Sequence, residues 1–291
     1  MNPPLIKIDV DGILELSDSK VMERNSVAAA KARALFAREK PIFVVEANIG
    51  FGKSSVTRVL SEYGVVPFHE RTIEDPVFQL YYDNRSSFAT GYQVHVGGLR
   101  KAQLWEAVRL KKRGLASCID RSPYGEPLAF IPALNQFMSD IPDDQRVTLE
   151  KYFDIQFREG ATAREEFMNY DKKKDGLPED TIAAELARLS IIGTPPPDAL
   201  ILMHGERSVA WDRTLTRGRS EELESENETG GLPEPLHELL HAQYDAFYNN
   251  LSASGWFSGP VIYLEQPKVN LSRNTGRLIL LESILEAFKK D

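Results

Sequence analysis

The chain has 291 residues, 42% hydrophobic and 27% charged, enough for one large globular domain or two small ones and unlike a fibre or a disordered tail. Thirty-five basic against forty-three acidic side chains give a net charge of −8, which argues against extended nucleic acid as a partner and requires a local basic cluster wherever a polyanion is bound. The single cysteine, Cys118, excludes an internal disulfide framework and a cysteine-rich zinc module, and no apolar run approaches the roughly 18 residues that span a bilayer.

From the N-terminus, Met1 to Asp11 lacks a signal peptide's apolar core, and Glu23 and Glu39 spoil a transit-peptide reading, so a cytoplasmic location is expected. Residues Ser17 to Lys40 are rich in strong helix formers and predict a leading helix, so 1–40 reads as an N-terminal extension before a main domain over 41–291. Pro41 to Val45 is a short, continuous, β-branched run followed by glycines, as a buried parallel strand should be. Similar runs at Gly64 to Phe68, Leu115 to Ile119, Ala199 to Met203 and Val261 to Leu264 are separated by helix-period segments. That alternation predicts an α/β fold, a doubly wound parallel sheet of about five strands with ligands at its carboxyl edge. A helical insertion is expected over about 131–197, and a glycine-containing acidic loop before a helix starting near Leu236.

The first strand runs into Glu46-Ala47-Asn48-Ile49-Gly50-Phe51-Gly52-Lys53-Ser54-Ser55, and a helical stretch follows. This is nearly the G-x-x-x-x-G-K-[ST] phosphate loop, with Ala47 at the place of the first glycine. Amides from Asn48 to Ser55 at a helix start can surround a triphosphate, Lys53 can reach its β and γ oxygens, and the Ser54 hydroxyl can hold Mg²⁺.

At this point the chain resembles the deoxynucleoside kinase family, P-loop enzymes that phosphorylate the 5′-hydroxyl of deoxynucleosides. The resemblance runs in order along most of the sequence. Glu70 stands where it implies the general base, and Tyr82, in Phe78-Gln79-Leu80-Tyr81-Tyr82-Asp83, where it implies a contact to the sugar 3′-hydroxyl. Gln93 lies eleven residues beyond Tyr82, at the position that reads the base edge, and Arg100 seven further. Asp120-Arg121-Ser122 is similar to the family's D/E-R-S signature, which implies Mg²⁺ on Asp120 and Arg121 near the reacting hydroxyl. Phe130 matches the aromatic that stacks on the base, and Phe88 and Glu126 join Gln93 and Arg100 in the implied pocket. Arg213-Thr214-Leu215-Thr216-Arg217-Gly218-Arg219-Ser220-Glu221-Glu222 resembles the lid, which spans about 213–235. There Arg213, Arg217 and Arg219 would neutralise the transferring phosphoryl group and Glu222 would be a second 3′-hydroxyl ligand.

The resemblance thus implies ATP as donor, Mg²⁺ as cofactor, a deoxynucleoside as acceptor and a homodimer. Three features depart from it: Ala47, Gly125-Glu126-Pro127 in place of an acid followed by arginine, and the insertion. They leave open a kinase for a nucleotide or modified base, and a non-catalytic accessory subunit of the same fold. His237-Glu238-Leu239-Leu240-His241 also spells H-E-x-x-H, a zinc hydrolase pattern outweighed by its match to the helix after the lid. His69, His95 and His204 have no partner at ligand spacing and read as local hydrogen bonders, and Cys118 as a small buried hydrophobe.

Overall fold

The computed structural model describes residues 2–70, 81, 85–137, 195–217 and 232–289. Its strands are β1 (Leu5–Ile6), β2 (Ile42–Glu46), β3 (Val66–Phe68), β4 (Ser117–Asp120), β5 (Ala199–Gly205) and β6 (Val261–Gln266). The α-helices among the described residues are α1 (Val10–Leu14), α2 (Asp18–Glu39), α3 (Lys53–Ser61), α4 (Arg85–Lys112), α5 (Ile131–Phe137), α6 (Arg207–Arg217), α7 (Glu234–Ser254) and α8 (Asn274–Ala287). A π-helical turn over Glu126–Phe130 leads into α5.

Among the described residues one sheet holds every strand, in the order β1-β6-β5-β2-β4-β3, and each pairing is parallel. The count is six rather than about five, because Leu5–Ile6 adds a two-residue strand beside β6. A two-residue strand is too short to show a periodic pattern in sequence. The other five fall where the apolar runs predict.

These strands read as continuous apolar runs because helices cover both faces of the sheet. With period two, Phe43, Val45, Cys118, Ile201, Met203, Ile262 and Leu264 join one core with residues of α2, α3 and α8. Ile42, Val44, Ile119, Leu200, Leu202 and Val261 join the other with residues of α4 and α7. Cys118 is fully buried, as expected of a small hydrophobe in a strand.

The leading helix lies within one residue of its expected bounds. Ser17 is the extended N-cap, and Lys40 ends the helix in the left-handed region at φ 51°. Its buried side chains, Val21, Ala28, Ala32, Leu35 and Phe36, pack on α8, and Arg24 makes a bidentate pair with Glu282 across that contact.

β2 lies between β5 and β4, so connections depart from it in both directions across the sheet. In an open α/β sheet the crevice beyond the carboxyl end of such a strand is where ligands bind. That edge gathers the phosphate loop after β2, Glu70 just past β3, Asp120 and Arg121 at the end of β4, and His204 near the end of β5. Of the expected insertion, the described residues include its start, through Phe137, and residues 195–197. Among the described residues, no helix is long and apolar enough to cross a membrane.

Candidate active site

The loop from Ala47 to Gly52 turns out of β2 and becomes α3 at Lys53. Gly50 and Gly52 take positive φ, 90° and 80°, a region L side chains rarely enter. At Gly50 a Cβ would also lie 2.0 Å from the Ala210 carbonyl oxygen, so glycine is what lets α6 sit against the loop. Ala47 is different: its φ is not positive, and its methyl belongs to the apolar cluster with Phe51, Val56 and Ala210. The missing first glycine therefore imposes no left-handed strain, because the methyl is absorbed by the core.

Two contacts from α7 fix the loop. Asn48 accepts from the Ile49 amide at 2.7 Å and donates to the His237 carbonyl at 3.4 Å, while His237 Nε2 lies 3.2 Å from the Ile49 carbonyl. Burial lowers the His237 pKa to about 4, so the ring is neutral and donates through Nε2–H. Lys53 Nζ donates to the carbonyls of Ala47 and Asn48, both at 3.1 Å. Burial, with repulsion from Arg121, lowers the Lys53 pKa to about 7 despite Asp120, Glu70 and Glu46 nearby. Its loop carbonyls give this lysine dipoles rather than a full counter-charge.

Beside it lies a dense ionic network. Arg100 Nη2 donates to Glu70 Oε1 at 2.9 Å, and Arg121 Nε lies 3.1 Å from the same oxygen. Arg100 also ion-pairs with Glu126, which is 1% exposed. Burial alone would raise the Glu70 pKa, but Arg121, Arg100 and Lys53 outweigh it and hold the carboxyl at about 2. Arg121 adopts φ 77°, lies with its guanidinium 4.6 Å from the Phe130 ring centroid, and donates to the Ala47 carbonyl at 3.3 Å. Burial disfavours its charge, yet Glu70, Tyr244, Glu46 and Asp120 raise its pKa.

Under this network sits Glu46, fully buried at the end of β2. It accepts from the Ser122 amide at 3.0 Å, the Ser122 hydroxyl at 2.6 Å and the Tyr244 hydroxyl at 2.7 Å. Sequence reasoning assigned Glu46, Tyr244 and His237 no place in the site. The available signal was Glu46, an acid closing an otherwise apolar buried strand; Tyr244 looks like any helix residue, and His237 stood out only through the H-E-x-x-H spelling, which points to different chemistry.

Ser54 Oγ donates to Asp120 Oδ2 at 2.6 Å. Among the described residues the other Asp120 oxygen, Oδ1, is buried without a hydrogen-bond partner. A buried carboxylate oxygen left open beside a hydroxyl, next to the phosphate loop, is a hard-oxygen set that fits Mg²⁺. Arg213, on α6, donates to Gln266 at 3.1 Å and borders a cavity of about 340 Å³ shared with Phe51, Gly52, Ser55 and Asn270. Arg217 ends α6. Tyr82, Arg219 and Glu222 lie outside the described residues, as do the side chains of Phe88 and Gln93. Of the expected residues, Lys53, Ser54, Glu70, Arg100, Asp120, Arg121, Glu126 and Phe130 are brought together through these contacts.

His204 is a hydrogen bonder, as expected, but not a local one: its Nε2 lies 2.6 Å from Asp245 Oδ1, and its ring is 5.0 Å from that of His241. They are remote in sequence, which is why spacing did not reveal them. Nor do the two histidines of H-E-x-x-H converge, since His237 turns to Ile49 while His241 faces His204.

A helix-capped loop on a central parallel strand, with lysine and serine at the helix start and an acid ending the neighbouring strand, defines a phosphate-loop α/β fold. No family model matches the chain. The deoxyadenosine kinase of Lactobacillus acidophilus is 27% identical over 236 residues, 80% of this chain and 89% of that protein. A deoxyguanosine kinase of the same organism is 24% identical over 251 residues, 86% of this chain and 91% of that protein. In fold, the chain is similar to deoxyadenosine kinase from M. mycoides with products dCMP and a flexible dCDP bound, with a TM-score of 0.56 and 19% identity over 85% of this chain and 100% of that one. In sequence the chain is thus similar to deoxyadenosine and deoxyguanosine kinases, and in fold to a solved deoxyadenosine kinase.

Proposed function

We propose that the chain transfers the γ-phosphoryl group of ATP to the 5′-hydroxyl of a deoxynucleoside. The observation that carries this reading is the meeting of Lys53, Ser54 and Asp120 with Glu70 and Arg121 at one edge of the sheet. A phosphate cradle and a carboxylate for an acceptor thus stand side by side. The sequence relatives, by their names, are purine deoxynucleoside kinases, which makes deoxyadenosine and deoxyguanosine the first acceptors to test.

In this reading the loop amides and Lys53 bind the donor's phosphates, and phosphate charge favours the lysine's protonated form. Ser54 and Asp120 would hold Mg²⁺, which supplies neutralisation of phosphate charge. Arg213, Arg217 and Arg219 close on the triphosphate, and the cavity between Arg213 and Asn270 takes the donor's base. Glu70 is a carboxylate throughout the neutral range, so it is in the proton-accepting form. Two arginines occupy it, and the entering 5′-hydroxyl must replace one of those contacts before the carboxylate can take its proton. Arg100, Glu126, Phe130, Phe88 and Gln93 surround the base, Tyr82 and Glu222 hold the 3′-hydroxyl, and the enzyme works as a homodimer in the cytoplasm.

Lys53→Ala should abolish phosphoryl transfer while leaving the circular dichroism spectrum unchanged. Undiminished turnover in a folded variant would remove the phosphate-loop assignment.

A further inference from the structure

Away from Glu70 and Asp120, three ligand-type side chains converge. His204 near the end of β5 and His241 and Asp245, one turn apart on α7, present ligand atoms all within 4.8 Å of one another. His204 Nε2 and His241 Nε2 lie 2.6 and 4.0 Å from Asp245 Oδ1. The histidine side chains are 15% and 14% exposed and that of Asp245 is 59% exposed, so the imidazoles form the floor and the carboxylate opens to solvent. Among the described residues, neither histidine's Nδ1, though buried, has a hydrogen-bond partner. Two largely buried imidazoles thus turn their Nε2 atoms toward one carboxylate oxygen.

We infer that His204, His241 and Asp245 form a binding site for a divalent transition metal of the zinc class. Two imidazole nitrogens and one carboxylate oxygen are a ligand set for Zn²⁺, with bonds of about 2.0–2.2 Å and a remaining position for water. Tetrahedral bonds of that length put neighbouring ligand atoms about 3.3 Å apart, against 2.6 and 4.0 Å from the imidazoles to the carboxylate and no more than 4.8 Å between any two ligand atoms here, so side-chain rotation is needed to close the set on an ion. Imidazole nitrogens disfavour the hard, oxygen-seeking Mg²⁺, which keeps the site distinct from Ser54 and Asp120. The facing cation, Arg207 at the start of α6, is paired with Glu234 at 2.9 Å. The H-E-x-x-H spelling misleads here, because the metal-ready i, i+4 pair is His241 with Asp245 and the third ligand comes from a strand.

The site lies directly behind the phosphate loop. Phe51 packs against the rings of both His204 and His241, at 6.0 and 6.1 Å between centroids. A bound ion would tie β5 to α7, the helix whose first turn holds Asn48 and Ile49, and so brace the loop without touching the reacting groups.

The test uses the full chain, stripped by chelator, dialysed and titrated with Zn²⁺ against a chromophoric competitor; Co²⁺ serves as a second probe through its visible d–d absorption. One ion per chain is expected, with binding weakened more than about 100-fold in His204→Ala and in His241→Ala and measurably in Asp245→Asn. His237→Gln should bind as the parent does. Far-UV circular dichroism establishes that each variant is folded, and Asp245→Asn, at an exposed position, serves should a histidine variant not fold. Absence of stoichiometric binding, binding undiminished in the folded variants, or loss in His237→Gln with retention in His204→Ala would each overturn the site.

Discussion

Glu70 and Lys53 carry opposite electrostatic burdens. Glu70 is stabilised as a carboxylate by two arginines, whereas Lys53 is a buried ammonium with carbonyls for partners. If Glu70 accepts the acceptor's proton, Glu70→Gln keeps shape and hydrogen bonding but should lower the turnover number at least about 100-fold, with little change in acceptor KM. A residue that merely holds Arg121 would instead shift KM and leave turnover near normal. For Lys53 the sign follows from its lowered pKa. Below about pH 7 it is charged both folded and unfolded, and burial of that charge destabilises the fold in full. Between about 7 and 10.5 the unfolded chain binds the proton and the folded chain does not, so stability rises with pH. Urea unfolding without nucleotide should show that rise in the parent relative to Lys53→Ala, and parallel pH profiles would contradict it. At this scale the sequence was most legible where residues stand in short local motifs, as Lys53, Ser54 and Asp120 do, and the structure brings Ser54 and Asp120 into hydrogen-bond contact. The supporting contacts of Glu46 with Tyr244, and the meeting of His204 with His241, join residues nearly 200 and nearly 40 positions apart and left no local trace.

At the level of elements, the phosphate loop is held from three sides. α3 continues from it, α7 holds its amide and carbonyl groups through Asn48 and His237, and α6 presses on Gly50 through the Ala210 carbonyl. Gly50→Ala tests this packing. Its left-handed φ and the 2.0 Å approach leave no room for a methyl, so the substitution should cost at least about 2 kcal/mol in urea unfolding and raise the KM for ATP. An unchanged unfolding midpoint would mean that α6 does not bear on the loop. Ala47 supplies the internal comparison, a methyl in the same loop that the apolar core accommodates. The inner strands β2 and β5 were legible because both faces are buried and their runs are apolar, whereas β1, two residues at the edge, carries no such signature.

For the molecule as a whole, a net charge of −8 sets the scale of the problem. An acidic protein can receive a triphosphate only through a local basic cluster, and among the described residues Lys53 at the start of α3 and Arg213 and Arg217 on α6 are candidates for one. The parallel sheet makes such a cluster attainable, because the carboxyl ends of β2, β3, β4 and β5 deliver residues from across the chain to one edge. The reading of this edge as a kinase site rests on what it phosphorylates. The direct measurement incubates the full chain with γ-labelled ATP, Mg²⁺ and a panel of deoxynucleosides, ribonucleosides and nucleotides, and identifies the labelled product. The expected main product is a deoxynucleoside 5′-monophosphate, absent with Lys53→Ala and greatly diminished with Glu70→Gln. Label transferred to nucleotides alone, or to no acceptor while ATP still binds, would contradict it.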